Sequence, residues 1–427
     1  MTKIARIVFL VVFFLGILCD NLYAFEQAVY IWQKSWDEGI HDSLKQIAPQ
    51  TDKFSVLAAT ISAPRGRPVI SKVNFNLSYL HDVGKPVVLA VRMLSSCGKL
   101  VNTDKVSSLA DQAVEAIRSL IEDAVMAGVK IDGVQFDYDS PTSKLPNYAR
   151  FLSRIRSGYP ELSVSITTLP SWMDSPAFPD LVKPLSFYVL QLHSLETPKT
   201  NDEEFLLFDI GKSRRYVDQS LKLGKKFFIS LPTYGYETAF DSKGKFIGLR
   251  AENRRVRWAD DVQLKVVMAD PDKVADFFQE IKGMSASALS GVYWFRLPVK
   301  DDELNWGVKT MRVIMSGQMP RLSFKAEVIL SQDGATEVYL ENPGERDFGG
   351  KVAFDILWNL EERPLFDLMS AYTKQDLEGG KGIHITGPAP KVGGRNMVVW
   401  FRNVRKEAGV LEIKTTKVVP HDDKDGH

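Results

Sequence analysis

Cysteine is scarce: the 427-residue chain has 2, at positions 19 and 97. If Cys19 leaves with a leader segment, Cys97 stays alone and no disulfide can form within one chain, so a disulfide-stapled fold is excluded. Charge of one sign is also lacking, with 54 Lys and Arg against 53 Asp and Glu. That balance argues against nucleic acid as a partner. There is no His-Glu-x-x-His or Cys-x-x-Cys spacing, so a zinc site of the common kinds is not expected. A Gly-x-Ser-x-Gly elbow is absent, which excludes a serine hydrolase of that kind. No Gly-rich phosphate loop follows the first strand, which counts against a dinucleotide fold. No cofactor is expected. The chain has no repeat or low-complexity segment, and its one long apolar run, Ile7–Leu18, is too short for a transmembrane span.

The rest is ordinary globular material, 44% hydrophobic and 25% charged. Residues 1–24 read as a signal peptide: Lys3 and Arg6, the Ile7–Leu18 run, then Leu22-Tyr23-Ala24 as a cleavage site. Its removal takes Lys3, Arg6 and Asp20 and leaves a formally neutral chain. The expected location is secreted or periplasmic. Gly16-Ile17-Leu18-Cys19 resembles a lipoprotein processing box, which keeps a lipid anchor at Cys19 as the less favoured alternative. Cys97 reads as a small residue in a Ser-Ser-Cys-Gly loop.

From Gln27 to Gly317 short apolar runs alternate with amphipathic stretches. Strands are expected at Gln27–Gln33, Phe54–Ala63, Lys85–Met93, Ile131–Asp139, Leu162–Leu169, Phe187–His193, Lys226–Leu231 and Gly291–Leu297. Helices are expected at Asp37–Gln50, Thr103–Gly128, Leu145–Gly158, Arg214–Leu223, Lys273–Met284 and Glu303–Ser316. The second crossover, Pro64–Asp82, holds a poor helix. Strands separated by helices pair in parallel, and this number of beats in 25–318 fits an α/β fold of the (β/α)8 TIM-barrel kind. The Tyr236–Trp258 insertion reads as a hairpin or lid beside the barrel mouth. After Pro320 the pattern turns to strands with Gly, Asp and Asn turns, at Leu322–Leu330, Thr336–Asn342, Lys351–Leu357, Met397–Arg402 and Leu411–Val418. Residues 319–420 are therefore expected to form a small β-sandwich-like domain, with 421–427 a frayed tail.

In a barrel the active site lies at the C-terminal strand ends. Side chains alternate along a strand, so Gln135, Asp137 and Asp139 share the inner side. Two buried carboxylates are costly unless paired or protonated, and each raises the other's pKa, which suits a general acid. The structural alternative has Asp139 capping the next helix and Asp137 paired with Arg92. Gln191 and His193 end strand six with the same spacing. Trp32, Trp172, Tyr234, Trp294 and Arg296 stand at other strand ends, where aromatic faces suit sugar rings. Asp137, Asp139 and His193 could hold a metal, but none is expected.

The run Asp132-Gly133-Val134-Gln135-Phe136-Asp137-Tyr138-Asp139 resembles the fourth-strand signature of family 18 (chitinase-like) glycoside hydrolases, Asp-Gly-x-Asp-x-Asp-x-Glu. Ser230–Gly235 and Trp294 also sit where that superfamily places them. More closely, Gln135–Leu145, Leu169–Met173, Leu190–Leu195 and Trp294–Pro298 resemble a bacterial family catalogued as domain of unknown function 3142, over roughly residues 27–300. The resemblance implies the barrel, Asp139 as the acid and Asp137 as the carboxylate that steadies an N-acetyl group. Asp139 stands where that signature has Glu, and Gln135 where it has Asp.

The expected function is a secreted or periplasmic glycoside hydrolase acting on a polysaccharide or oligosaccharide. Asp139 and Asp137 would be catalytic, and Trp32, Arg92, Gln135, Trp172, Gln191, His193, Tyr234, Trp294 and Arg296 would bind substrate. Glu196 and Glu237 are candidates for a second catalytic carboxylate. The alternatives are a catalytically inactive carbohydrate-binding protein and an envelope scaffold.

Overall fold

The computed structural model describes residues 25–193, 198–203, 205–251, 256–284, 288–300, 302–331, 335–402 and the strand 411–414. The expected signal peptide, Cys19, Glu196 and the 421–427 tail lie outside them.

Eight strands form the barrel: β1 Glu26–Ile31, β2 Lys53–Ser62, β3 Val87–Met93, β4 Ile131–Asp137, β5 Ser163–Thr168, β6 Phe187–Gln191, β7 Phe227–Pro232 and β8 Leu289–Phe295. Each pairs in parallel with the next, and β8 pairs with β1, so the sheet closes and leaves no edge within the ring. Amphipathic helices, among them Glu38–Ile47, Val106–Met126, Leu145–Gly158, Ile210–Leu223, Pro271–Lys282 and Val308–Met315, cover the outside.

Strand alternation sorts the side chains into two cores. The outward set, including Val29, Val134, Phe136, Val292 and Trp294, packs with the helices. A smaller inward set, Ala28, Tyr30, Trp32, Leu57, Ala90, Phe187, Val189, Phe228 and Tyr293, fills the barrel. Gly133 is needed where β4 meets β5, because a Cβ there would lie 2.6 Å from the Ser163 carbonyl oxygen.

Two local departures are informative. The poor second crossover contains a strand, Val69–Lys72, antiparallel to β2, before a short helix at Leu77–Val83. The helix expected from Arg214 begins at Ile210, because the Asp209 carboxylate accepts from the Lys212 N–H at 2.8 Å and caps it.

The insertion after β7 is a three-stranded antiparallel sheet, with Gly235–Phe240 between Phe246–Arg250 and Gln263–Met268. The C-terminal residues form two four-stranded antiparallel sheets. Val338, Leu340, Phe354, Ile356, Ile385, Val399 and Phe401 make their shared core. Three strands there, Phe366–Leu368, Thr373–Asp376 and Gly382–Pro388, escaped the sequence pattern: the first two are short and the third is bounded by Gly and Pro. Asp347 joins this part to the barrel, accepting from Gly307 N–H and Thr310 Oγ1. Among the described residues no helix is long and apolar enough to cross a membrane.

Candidate active site

A cavity of about 750 Å3, counting its open mouth, lies at the C-terminal ends of the barrel strands. The strands and the residues just past them deliver the lining in order: Arg92 from β3, Asp137 from β4, Thr167 from β5, Gln191 and His193 at the end of β6, Ser230 and Tyr234 at the end of β7, Phe295 and Arg296 at the end of β8.

Asp137 ends β4. Its Oδ1 accepts from Thr167 Oγ1 at 2.7 Å and Gln191 Nε2 at 3.5 Å. Arg92 Nε lies 3.9 Å from its Oδ2, too far for a hydrogen bond, and the Arg92 side chain is 39% exposed. Burial pushes the Asp137 pKa up from its ordinary value, against the Thr167 bond and the Arg92 charge. Gln135 sits one layer below, accepting from Tyr30 Oη at 2.6 Å and donating to Ser165 Oγ at 3.3 Å.

Asp139 stands just past the strand, at the rim. Surrounding protein, then the Asp137 charge, push its pKa up to about 6, with Arg92 pulling the other way. Part of its surface opens to solvent through the mouth, so this is a crowded, half-wet group rather than a sealed one. It does not cap the following helix, whose N-cap, Lys144, makes no side-chain capping bond.

Trp172 is not part of the wall. It is buried behind the loop that carries Asp139, its Nε1 donating to the Ser140 carbonyl at 3.0 Å and its ring against Tyr148. Trp294 is also misplaced by the sequence reading. It faces the helices, packing on Phe278 with Nε1 3.2 Å from Gln27 Oε1. Its neighbour Phe295 takes the inward position, packed against Trp32, His193 and Tyr234 with ring centroids 5.3–5.5 Å apart. The pleat explains both corrections to β8, since a one-residue offset exchanges the two faces of a strand.

Trp32 and Tyr234 do line the cavity, Tyr234 Oη lying 2.6 Å from Tyr236 Oη. Arg296 reaches its edge but is committed elsewhere. Its Nη2 is 2.9 Å from Asp302 Oδ2 and donates to the Ala251 carbonyl at 3.0 Å. Glu237 stands outside the cavity, held by two hydrogen bonds from Arg250 and one from Trp258 Nε1, which lower its pKa. His193 is buried, and that burial lowers its pKa to about 4, so it is neutral at ordinary pH.

Sequence reasoning missed Tyr30, Thr167, Ser230, Tyr236, Ala251 and Phe295 as lining residues. Inward alternation from Gln135 and Asp137 carries to Thr167 only through the β4–β5 register, in which Gln135 faces Ser165. Cys97 is buried, its thiol pushed up to about 11 by burial and donating to the Ile61 carbonyl. Among the described residues no cluster of His, Cys, Asp and Glu is arranged to hold a metal.

The family model described as domain of unknown function (DUF3142) matches residues 83–300. No curated protein matches. Among solved structures, a chitinase from Chromobacterium violaceum superposes with a TM-score of 0.50 at 14% identity, covering 69% of this chain and 98% of that one. The spore cortex-lytic enzyme SleL of Bacillus cereus gives 0.48 at 12% identity, covering 69% and 74%. A GH18 chitinase from Flavobacterium johnsoniae gives 0.46 at 9% identity, covering 69% and 93%. At 14% identity the likeness to the Chromobacterium violaceum chitinase is one of fold alone, a (β/α)8 barrel.

Proposed function

The chain belongs to the family described as domain of unknown function (DUF3142), and we propose that it hydrolyses glycosidic bonds of a polysaccharide at the barrel mouth. The observation that carries this reading is the pair at the end of β4. Asp139 has its pKa at about 6, beside an Asp137 held by Thr167 and approached by Arg92. Such a pair splits into one carboxyl that can give a proton near neutrality and one that can stay charged.

In the proposed reaction the Asp139 proton passes to the glycosidic oxygen and the bond from that oxygen to the anomeric carbon breaks. Asp137 stabilises the positive charge that develops on the sugar. Water then adds at the anomeric carbon and returns a proton to Asp139. Trp32, Phe295 and Tyr234 supply the apolar wall for the sugar ring, and Arg92 and Gln191 the polar rim. Trp172 holds the loop of Asp139 from behind. The reading includes export after removal of 1–24, a catalytic barrel at 25–318 and an accessory module at 319–420.

A second reading, sugar binding without hydrolysis, is favoured by one observation. Among the described residues only Asp137 and Asp139 bring carboxylates to the cavity, and Glu237 is locked outside it. Reducing-end release from a panel of bacterial and plant polysaccharides decides between them, with the full chain beside Asp139→Asn and Asp137→Asn. Release lost in Asp139→Asn supports hydrolysis. Retention of a polymer without cleavage, equal in wild type and Asp139→Asn, supports binding alone.

A further inference from the structure

The cavity floor and one of its flanks differ in how their polar groups are matched. On the floor Tyr30, Gln135, Ser165, Thr167 and Asp137 are joined by hydrogen bonds of 2.6–3.3 Å. On the β6–β7 flank two lining side chains carry buried atoms with no hydrogen-bond partner among the described residues: Ser230 Oγ and His193 Nδ1. Their residues are 1% and 7% exposed. Ser230 stands opposite Gln191 in the β6–β7 register, so both groups border the end of the cavity where Gln191 reaches Asp137. An unmatched buried hydroxyl or ring nitrogen is unfavourable, and a ligand group that bonds to it recovers the loss.

The chemistry of the two groups limits what that ligand group can be. A serine hydroxyl both donates and accepts, and a neutral imidazole has one nitrogen of each kind. Among the described residues no carboxylate bonds to His193; Tyr234 and Phe295 pack on its ring, with centroids 5.7 and 5.5 Å away. A carboxylate or sulfate offers acceptors only, and in this cavity it would face Asp137 and Asp139, with Arg92 the one lining cation among the described residues that is not already held by a close ion pair, Arg296 being paired with Asp302.

Resting on the glycosidase reading above, we propose that Ser230 and His193 read a neutral donor–acceptor substituent, a hydroxyl or an acetamido group, on an uncharged sugar unit seated against Phe295 and Trp32. The site thereby selects neutral sugars over uronic or sulfated ones. Neither residue transfers a proton in this scheme; both set specificity.

The test is calorimetric titration of the full chain carrying Asp139→Asn with chitotetraose, cellotetraose and tetragalacturonate. A neutral tetramer is expected to bind, with tetragalacturonate weaker by at least about tenfold, the value of roughly one neutral hydrogen bond. Preference for chitotetraose assigns the substituent as acetamido, and equal binding of cellotetraose assigns it as hydroxyl. Adding Ser230→Ala is expected to weaken binding about tenfold. His193→Phe should do the same, and His193→Gln, which keeps a donor and an acceptor, should restore most of it. Should His193→Phe not fold, as judged by its near-ultraviolet circular dichroism, Ser230→Ala decides. The proposal is overturned if folded Ser230→Ala and His193→Phe bind as the parent does, or if tetragalacturonate binds as tightly as the neutral tetramers. If polymers are cleaved by wild type in either case, only this proposal falls. If no tetramer binds and no polymer is cleaved, the glycosidase reading falls with it.

Discussion

The two sides of the barrel mouth treat their carboxylates in opposite ways. On the β7–β8 side two of them are closed by an arginine: Glu237 by Arg250 at 2.9 Å, and Asp302 by Arg296 at 2.9 Å with side chains only 1% and 6% exposed. At the end of β4, Asp137 is met by a distant Arg92 and Asp139 by no ion pair among the described residues. The first arrangement spends its charges on holding the insertion and the loop after β8 in place. The second leaves charges whose protonation the surroundings have altered, which is how groups available for chemistry differ from groups that hold structure.

Removing the acid carries the largest expected effect. Asp139→Asn should lower reducing-end release by about 10²- to 10⁴-fold, the range for a general acid. It should not lower the melting temperature. The folded protein resists ionising Asp139, so any stability that group contributes is present below the ordinary carboxylate pKa and is lost as pH rises through about 6. At pH 7.5 the neutral Asn therefore melts no lower than wild type. A large loss of stability would place Asp139 with the structural carboxylates instead.

Asp302→Ala should behave in the reverse way. It leaves Arg296 buried and unpaired, which costs about 3–5 kcal/mol, readable as a shift of the urea unfolding midpoint. An unchanged midpoint would dissolve the contrast between the two sides.

The pH profile sharpens it further. Release should fall about tenfold per pH unit above pH 6 as Asp139 loses its proton, and fall again in acid as Asp137 gains one. A profile flat from pH 5 to 8 would separate Asp139 from the proton transfer.

The smallest effects concern β8. Trp294→Phe should cost about 1 kcal/mol of stability through the lost bond to Gln27 and leave sugar affinity unchanged. Phe295→Leu should weaken sugar binding instead, with release at saturating substrate little altered. Equal effects of both on affinity would mean that the two faces of β8 are not functionally distinct.

Much of the fold was legible because its signals are local. Apolar runs of strand length between amphipathic helices name the beats, and Leu145–Gly158 is found with the bounds the sequence suggests. The carboxylates of β4 were legible for the same reason, since a period of two needs only one strand. The short C-terminal strands were less so, because Thr373–Asp376 is polar throughout and its place depends on pairing with Gly382–Pro388.

What the amino-acid order determined by itself is the alternation of elements, the balance of charge and the spacing by two of Gln135, Asp137 and Asp139 at the end of a strand. These follow from backbone geometry and composition, which need no distant partner. Only the tertiary structure decided that Phe295 rather than Trp294 faces the mouth, that Trp172 supports a loop, and that Arg296 and Glu237 are committed while Ser230 Oγ and His193 Nδ1 have no partner among the described residues. Each of these depends on which strand lies beside which and in what register. A shift of one residue there exchanges inside for outside, and local sequence does not set that shift.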